Sequence, residues 1–244
     1  MNSRHIYREW VATDDLVCFT VVTAETDLYV RTTRDLSQEA LASADKHRRI
    51  VERYLSLHPR FATSMEPCVP HPNAPGIVQE MARAAAIAGI GPMSAVAGAI
   101  AEAVARDLLN YSPEVIVENG GDIFIATCSE RVIGVYAGTA PLSGQVGIAI
   151  NPEETPLAIC TSSGSFGHSL SLGKADVCIV LSRSGAIADA LATSLCNRIR
   201  SSDDLAKTLD PAGLPPEMLG VLAAVDGQVG MQGSIRLVPI QPGK

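Results

Sequence analysis

Two runs of β-branched and apolar residues, Leu16 to Val22 and Leu28 to Thr33, flank the polar segment Thr23-Ala24-Glu25-Thr26-Asp27, a pattern that predicts a β-hairpin. From Ser37 to Leu57 the period changes. Leu41, Val51, Tyr54 and Leu55 recur on one helical face, and His58-Pro59 ends the pattern. Two alanine-rich helical stretches follow, about Gly76 to Ala88 and Met93 to Leu109, hinged at Gly89-Ile90-Gly91-Pro92. Val115 to Glu118 and Ile123 to Ala126 then read as strands joined by Asn119-Gly120-Gly121, a turn sequence that tolerates positive φ.

The second half has a similar order. Short strands are expected near Val146 to Ile150, Leu157 to Thr161 and Val177 to Leu181, followed by a helix from about Ala186 to Ile199 and a polar helical segment after Ser201. A final hairpin is expected from Val221 to Val225 and Ile235 to Ile240, turning through Asp226-Gly227-Gln228. Each half thus reads strand, strand, helices, strand, strand, without a residue-by-residue repeat to match. The expected fold class is α+β, an antiparallel sheet with helices layered on one face. One domain is expected over 1–244, with a pseudo-repeat of about 15–127 and 145–240.

Composition narrows the function classes. The 244 residues are 47% hydrophobic and 18% charged, enough apolar material for a large core, and the net charge of -7 supplies no basic stripe for a nucleic-acid backbone. The stretch from Arg83 to Glu102 carries one charge, Arg83, before Glu102 itself, but Gly89, Gly91 and Pro92 interrupt it, so a membrane span is not expected. Met1 to Trp10 contains Arg4, Arg8 and Glu9 and no apolar run of a secretory signal, and a cytoplasmic location is the expectation. The six cysteines, Cys18, Cys68, Cys128, Cys160, Cys178 and Cys196, form no Cys-x-x-Cys pair, and most of them read as reduced core thiols.

Three segments offer chemistry. In Glu118-Asn119-Gly120-Gly121-Asp122 the glycines let a ligand approach the main chain while the flanking side chains supply donors and acceptors; an ordinary hairpin turn with solvated acids is the alternative. In Thr161-Ser162-Ser163-Gly164-Ser165-Phe166-Gly167-His168-Ser169 successive amides and hydroxyls suit a phosphate, with His168 as proton carrier; the alternative is a plain Ser/Gly connection. In Ile187-Ala188-Asp189-Ala190-Leu191-Ala192-Thr193 the helical period sets Asp189 and Thr193 on one face as hard oxygen ligands for Mg²⁺; the alternative makes Asp189 a helix-dipole partner and Thr193 a packed hydroxyl.

Taken together, Asn119-Gly120-Gly121-Asp122, Thr161-Ser162-Ser163-Gly164 and Ala188-Asp189-Ala190-Leu191-Ala192-Thr193 resemble, in order and spacing, the ApbE (FAD:protein FMN transferase) superfamily. Gly91-Pro92-Met93-Ser94-Ala95-Val96-Ala97-Gly98 and Gly167-His168-Ser169-Leu170-Ser171 look like its short ApbE-like branch, and the resemblance spans about residues 15 to 240. It implies a fold of duplicated T-fold-like units and a small-molecule ligand site for FAD or FMN with Mg²⁺. By that resemblance Asp189 and Thr193 would hold the metal. Glu118, Asn119, Gly120, Gly121, Asp122, Thr161, Ser162, Ser163, Gly164 and Ser169 would line the cofactor site, with His168 as the catalytic candidate.

Two family elements are missing. The interval Gly167 to Lys174 has no His-Ile-Ile-Asp-Pro segment, and Pro92-Met93-Ser94 stands where transferases carry Lys-Gly. The expectation is therefore a Mg²⁺-assisted site for a flavin or another phosphate-bearing molecule, a transferase or hydrolase if it catalyses, rather than protein flavinylation itself. The alternative, also implied by the resemblance, is a non-catalytic accessory protein of sulfur assimilation into homocysteine in anaerobes. T-fold sheets often extend across subunits, which leaves room for a homo-oligomer.

Overall fold

The structure is a computed structural model that describes residues 15–138, 140–164 and 173–240. Eight antiparallel strands form the main sheet: β1 (Val17–Thr23), β2 (Thr26–Thr32), β3 (Val115–Asn119), β4 (Asp122–Ala126), β7 (Leu157–Ser162), β8 (Val177–Ser182), β9 (Met218–Val225) and β10 (Gln228–Gly233), in that spatial order. Four strands from each half of the chain meet where β4 pairs with β7. Each four-strand set is split by helices: α1 (Ser37–Leu57), α2 (Pro59–Thr63), α3 (Gly76–Ala88) and α4 (Val96–Leu108) between β2 and β3, then α5 (Gly185–Arg198) and α6 (Asp203–Thr208) between β8 and β9.

The pleat sorts side chains between two cores. Val30, Val117, Phe124, Ala158, Cys160 and Val180 face the helices. Ile116, Ile125, Ile159, Ile179 and Leu222 face the other way and pack on a second sheet of three strands, ordered β11 (Leu237–Pro239), β6 (Val146–Ile150) and β5 (Arg131–Gly134). With both faces covered, the central strands become nearly continuous hydrophobic runs, as in the fully buried β8. Arg131, itself buried, ties the small sheet down by donating to Asp15 at 2.6 and 2.8 Å and to Glu114 at 2.7 Å.

Three sequence expectations change here. Val146 to Ile150 belongs to the small sheet and not to the second half of the large one, and β5 was missed in the sequence. The last hairpin closes through Asp226 and Gly227 onto Gln228–Gly233, whereas Leu237–Pro239 leaves to pair with β6. Helices therefore cover only one face. The hinge was correctly placed: α3 ends at Gly89 in the left-handed region, a 3₁₀ turn covers Pro92–Ala95, and the helical directions diverge by 108°. Among the described residues no single helix is long and apolar enough to cross a membrane.

The two halves do share a residue-level repeat, confined to the central helices. Gly98-Ala-Ile-Ala-Glu-Ala-Val-Ala-Arg-Asp-Leu-Leu-Asn110 aligns with Gly185-Ala-Ile-Ala-Asp-Ala-Leu-Ala-Thr-Ser-Leu-Cys-Asn197, identical at eight of thirteen positions. The reason is contact. At the crossing of α4 and α5 a Cβ on Gly98 would lie 2.2 Å from the Gly185 carbonyl oxygen, and a Cβ on Gly185 would lie 2.2 Å from that of Gly98. The Gly98→Ala variant should lose about 3 kcal/mol or more, at the upper end of overpacking costs, because the obstruction is backbone and cannot rotate away. Urea midpoints check this against Gly213→Ala, where nothing lies within 4 Å and little change is expected.

Candidate functional site

The candidate residues that the structure describes lie at the β3–β4 turn, at the end of β7 and on α5. Gly120 and Gly121 form the two-residue loop between β3 and β4, with φ of 65° and 106°, so the turn alternative is correct for the backbone. Its acids are not solvated, however: Glu118 is 3% and Asp122 5% exposed. Asp122 lies on the helix-facing side, and its Oδ1 accepts the Thr161 amide at 3.2 Å across the β4–β7 junction. Glu118 belongs to the opposite face and folds back to accept the Gly121 amide at 2.8 Å. The Asn119 amide donates to the Ala97 carbonyl at 3.0 Å, tying the turn to the start of α4.

Asp189 approaches from the other side. Helix α5 is buried on every face from Gly185 to Cys196, as its lack of amphipathic patterning requires. Helix α4 has no side-chain cap of its own. Asp189 supplies one: its Oδ2 accepts the Gly98 amide at 2.9 Å, and the Ala97 amide also points to it. The dipole alternative was thus half right, because Asp189 serves the N-terminus of a different helix. Four residues after the other glycine of the crossing, Glu102 returns the arrangement, its Oε2 accepting the Gly185 amide at 2.7 Å.

Near both aspartates is Cys160, which the sequence assigned only to the core. Its thiol is 3.6 Å from the Gly185 carbonyl and also hydrogen-bonds the Asp122 carboxyl. Burial pushes Asp122 up to about 7, with the Glu118 charge adding to the effect and the Thr161 amide and Cys160 thiol opposing it. Burial also raises Asp189 well above the carboxylate range, reinforced by Asp122 and opposed by the Gly98 and Ala97 amides. The Cys160 thiol is raised well above its ordinary value by burial and by the two aspartates, so it is no ready nucleophile.

Thr161 and Ser162 end β7 rather than open a loop. Thr161 sits on the small-sheet face in the alternation. Ser162 faces the helices, is 3% exposed, and its hydroxyl has no hydrogen-bond partner among the described residues. Ser163 is buried, and Gly164 packs against the backbone of Gly173, whose carbonyl oxygen would be 2.3 Å from an added Cβ. The ends of the connection are thereby pinned together. His168 and Ser169 lie outside the described residues. Thr193 is one helical turn beyond Asp189 and 8% exposed. Among the described residues, no three His, Cys, Asp or Glu side chains stand where they would hold a metal ion. The available set is instead hard and partial: two carboxylates and a threonine hydroxyl, suited to a cation that keeps water and ligand oxygens.

A family model described as AbpE bacteria matches residues 8–213. The chain belongs to that family. This AbpE-family chain is 40% identical over 195 residues to a UPF0280 protein of Methanocaldococcus jannaschii, covering 78% of this chain and 79% of that one. A UPF0280 protein of Methanosphaerula palustris is 37% identical over 221 residues, 88% and 87% of the two chains. The fold of this chain is similar to that of a mutant of the flavin transferase ApbE from Vibrio cholerae, with a TM-score of 0.55 at 15% identity over 90% of this chain and 97% of that one. The ApbE protein of Thermotoga maritima gives 0.51 at 12% identity, over 90% and 97%. The AbpE-family chain and the UPF0280 proteins thus form an ApbE-like branch, and the α+β expectation is met.

The buried acids set a pH dependence in this AbpE-family protein. Between about pH 4, where an unfolded aspartate releases its proton, and about 7, the folded chain holds a proton at Asp122 that the unfolded chain has lost. Metal-free protein should therefore lose stability as pH rises through that window, by up to about 1.4 kcal/mol per pH unit for the Asp122 proton, with the proton held at Asp189 adding to the fall. Denaturant midpoints measured in chelator across the window should show this fall, and Asp122→Asn should make it shallower, leaving the part that burial of Asp189 contributes.

Proposed function

We propose that this chain holds a divalent cation, Mg²⁺ in the first instance, between Asp189, Thr193 and Asp122, and beside it a flavin (FAD or FMN) or another phosphate-bearing small molecule. The observation that carries this is the confinement of two carboxylates in one dry site. Unneutralised, such a pair is costly, and either a shared proton or a cation relieves it. A carboxylate has about four lone-pair positions, so the two amides at Asp189 leave room for a cation. The unpartnered Ser162 hydroxyl at the same strand ends is a further polar atom awaiting a ligand.

The glycine turn fits the organic part of the guest. Gly120 has nothing within 4 Å of where a Cβ would stand, so a planar or phosphorylated group can approach the main chain there. When bound, Mg²⁺ would neutralise diphosphate charge. The chain's own contribution is to position that charge: Asn119 locks the turn to α4, Asp122 orders the Thr161 amide, and α5 carries Asp189 and Thr193 on one face. The flavin transferases of known structure share this fold, which supports a flavin as the first ligand to try.

Calorimetry with FAD, FMN and ADP, each with Mg²⁺ and with chelator, tests the assignment. Binding of at least one is expected, tightened about tenfold or more by Mg²⁺, equivalent to about 1.4 kcal/mol. Asp189→Asn preserves an acceptor for the Gly98 amide while removing the charge, so it should fold and lose the Mg²⁺ effect. Absence of binding by the unmodified protein to all three ligands would remove the proposal.

A further inference from the structure

On the far side of the helix crossing lies a cavity of about 430 Å³ with no part in the site above. It opens to solvent and is bordered by α1, the start of α3, α4 and the first turn of α5. Its size is that of a small-molecule site. The repeat relates its wall to the Asp189 face: Glu102 and Arg106 of α4 occupy the positions that Asp189 and Thr193 occupy on α5, and Ala99 and Ala186, both on the wall, are each other's counterparts.

The exchange of threonine for arginine reverses the chemistry. At Asp189 burial, reinforced by the Asp122 charge, opposes the carboxylate, whereas here the Arg106 guanidinium donates to Glu102 at 2.8 Å and supplies the cation from the chain itself. The other acids on the wall are also occupied. Asp107 accepts from Ser43 at 2.8 Å, Lys46 at 3.1 Å and His47 at 2.9 Å, and Glu80 pairs with Arg83 at 3.3 Å. Donors left over on this wall include the outer N–H groups of Arg106, which has five in all, and the Gly76 and Ile77 amides, because α3 lacks a side-chain cap. Gly76 has nothing within 4 Å of an added Cβ, so its backbone borders open space. Ile50, Ile77 and Ala103 provide an apolar wall.

We infer that this cavity is a second ligand site, specific for a small organic anion. A carboxylate or phosphate-monoester head would meet Arg106 and the first amides of α3, and an apolar body would lie against Ile50, Ile77 and Ala103. The site is separate from the proposed cation site and stands whether or not that assignment holds.

Phenyl phosphate, benzoate and benzyl alcohol serve as probes, followed by amide chemical shifts in ¹⁵N-labelled protein. Saturable shifts at Gly76 and Ile77 with phenyl phosphate or benzoate, and none with benzyl alcohol, are expected; the stronger of the two anions identifies the head group. Arg106→Gln, at an exposed position, should weaken binding about tenfold, the share of one charge-assisted contact. Ala103→Leu should weaken it by filling the cavity, with unchanged circular dichroism confirming the fold. Asp189→Asn should leave it unaltered. Absence of saturable shifts at Gly76, equal binding of benzyl alcohol, or full affinity in Arg106→Gln would each overturn the inference.

Discussion

The molecule is organised around two helices that cross without side chains between them. At Gly98 and Gly185 the main chains touch, and each helix sends a carboxylate from one turn further on to a first-turn amide of the other: Asp189 to Gly98, Glu102 to Gly185. Buried helix ends need such partners, since an unpaired N–H away from water costs about as much as a lost hydrogen bond. This exchange fixes the depth and rotation of α5, and with them where Asp189 and Thr193 stand relative to the β3–β4 turn. The sheet then only has to bring Asp122 and Cys160 up from below.

Burial makes that same constraint chemically consequential. A capping aspartate near a protein surface would keep its ordinary proton affinity, but Asp189 performs the task within reach of Asp122 and out of water. Structure and reactivity are therefore not separable at this residue. Its charge supports a helix end, yet burial, reinforced by its neighbour, makes that charge expensive, and a retained proton relieves the conflict. On the opposite side, Arg106 resolves the equivalent conflict at Glu102 internally.

Much of the architecture was legible from periodicity. The limits of α1 and α3, the kink at Gly89 to Pro92 and the Asn119-Gly120-Gly121-Asp122 turn follow from local rules that tertiary contacts did not override. The small sheet was less legible. Its strand β5 has four residues beginning with a buried arginine, and β11 has three, too short for alternation to register. The site was half legible: the motifs located Asp122, Asp189 and the end of β7. What single segments could not reveal is pairing across the chain. Cys160 reads as one more core thiol, and Glu102 as one more helical acid, until α4 and α5 are aligned. That alignment was present in the sequence as Gly-Ala-Ile-Ala, twice, but alanine-rich helices make short matches easy to dismiss.

The bare crossing also restricts how this protein can change over time. A side chain introduced at either glycine strikes backbone that belongs to the other half, so no local adjustment can absorb it, and the two halves cannot drift apart at this point one step at a time. The walls on either side of the crossing are under no such restraint. A scaffold of this kind keeps its two central helices alike where they touch, while one turn further on they have diverged, to Glu102 with Arg106 on one and Asp189 with Thr193 on the other.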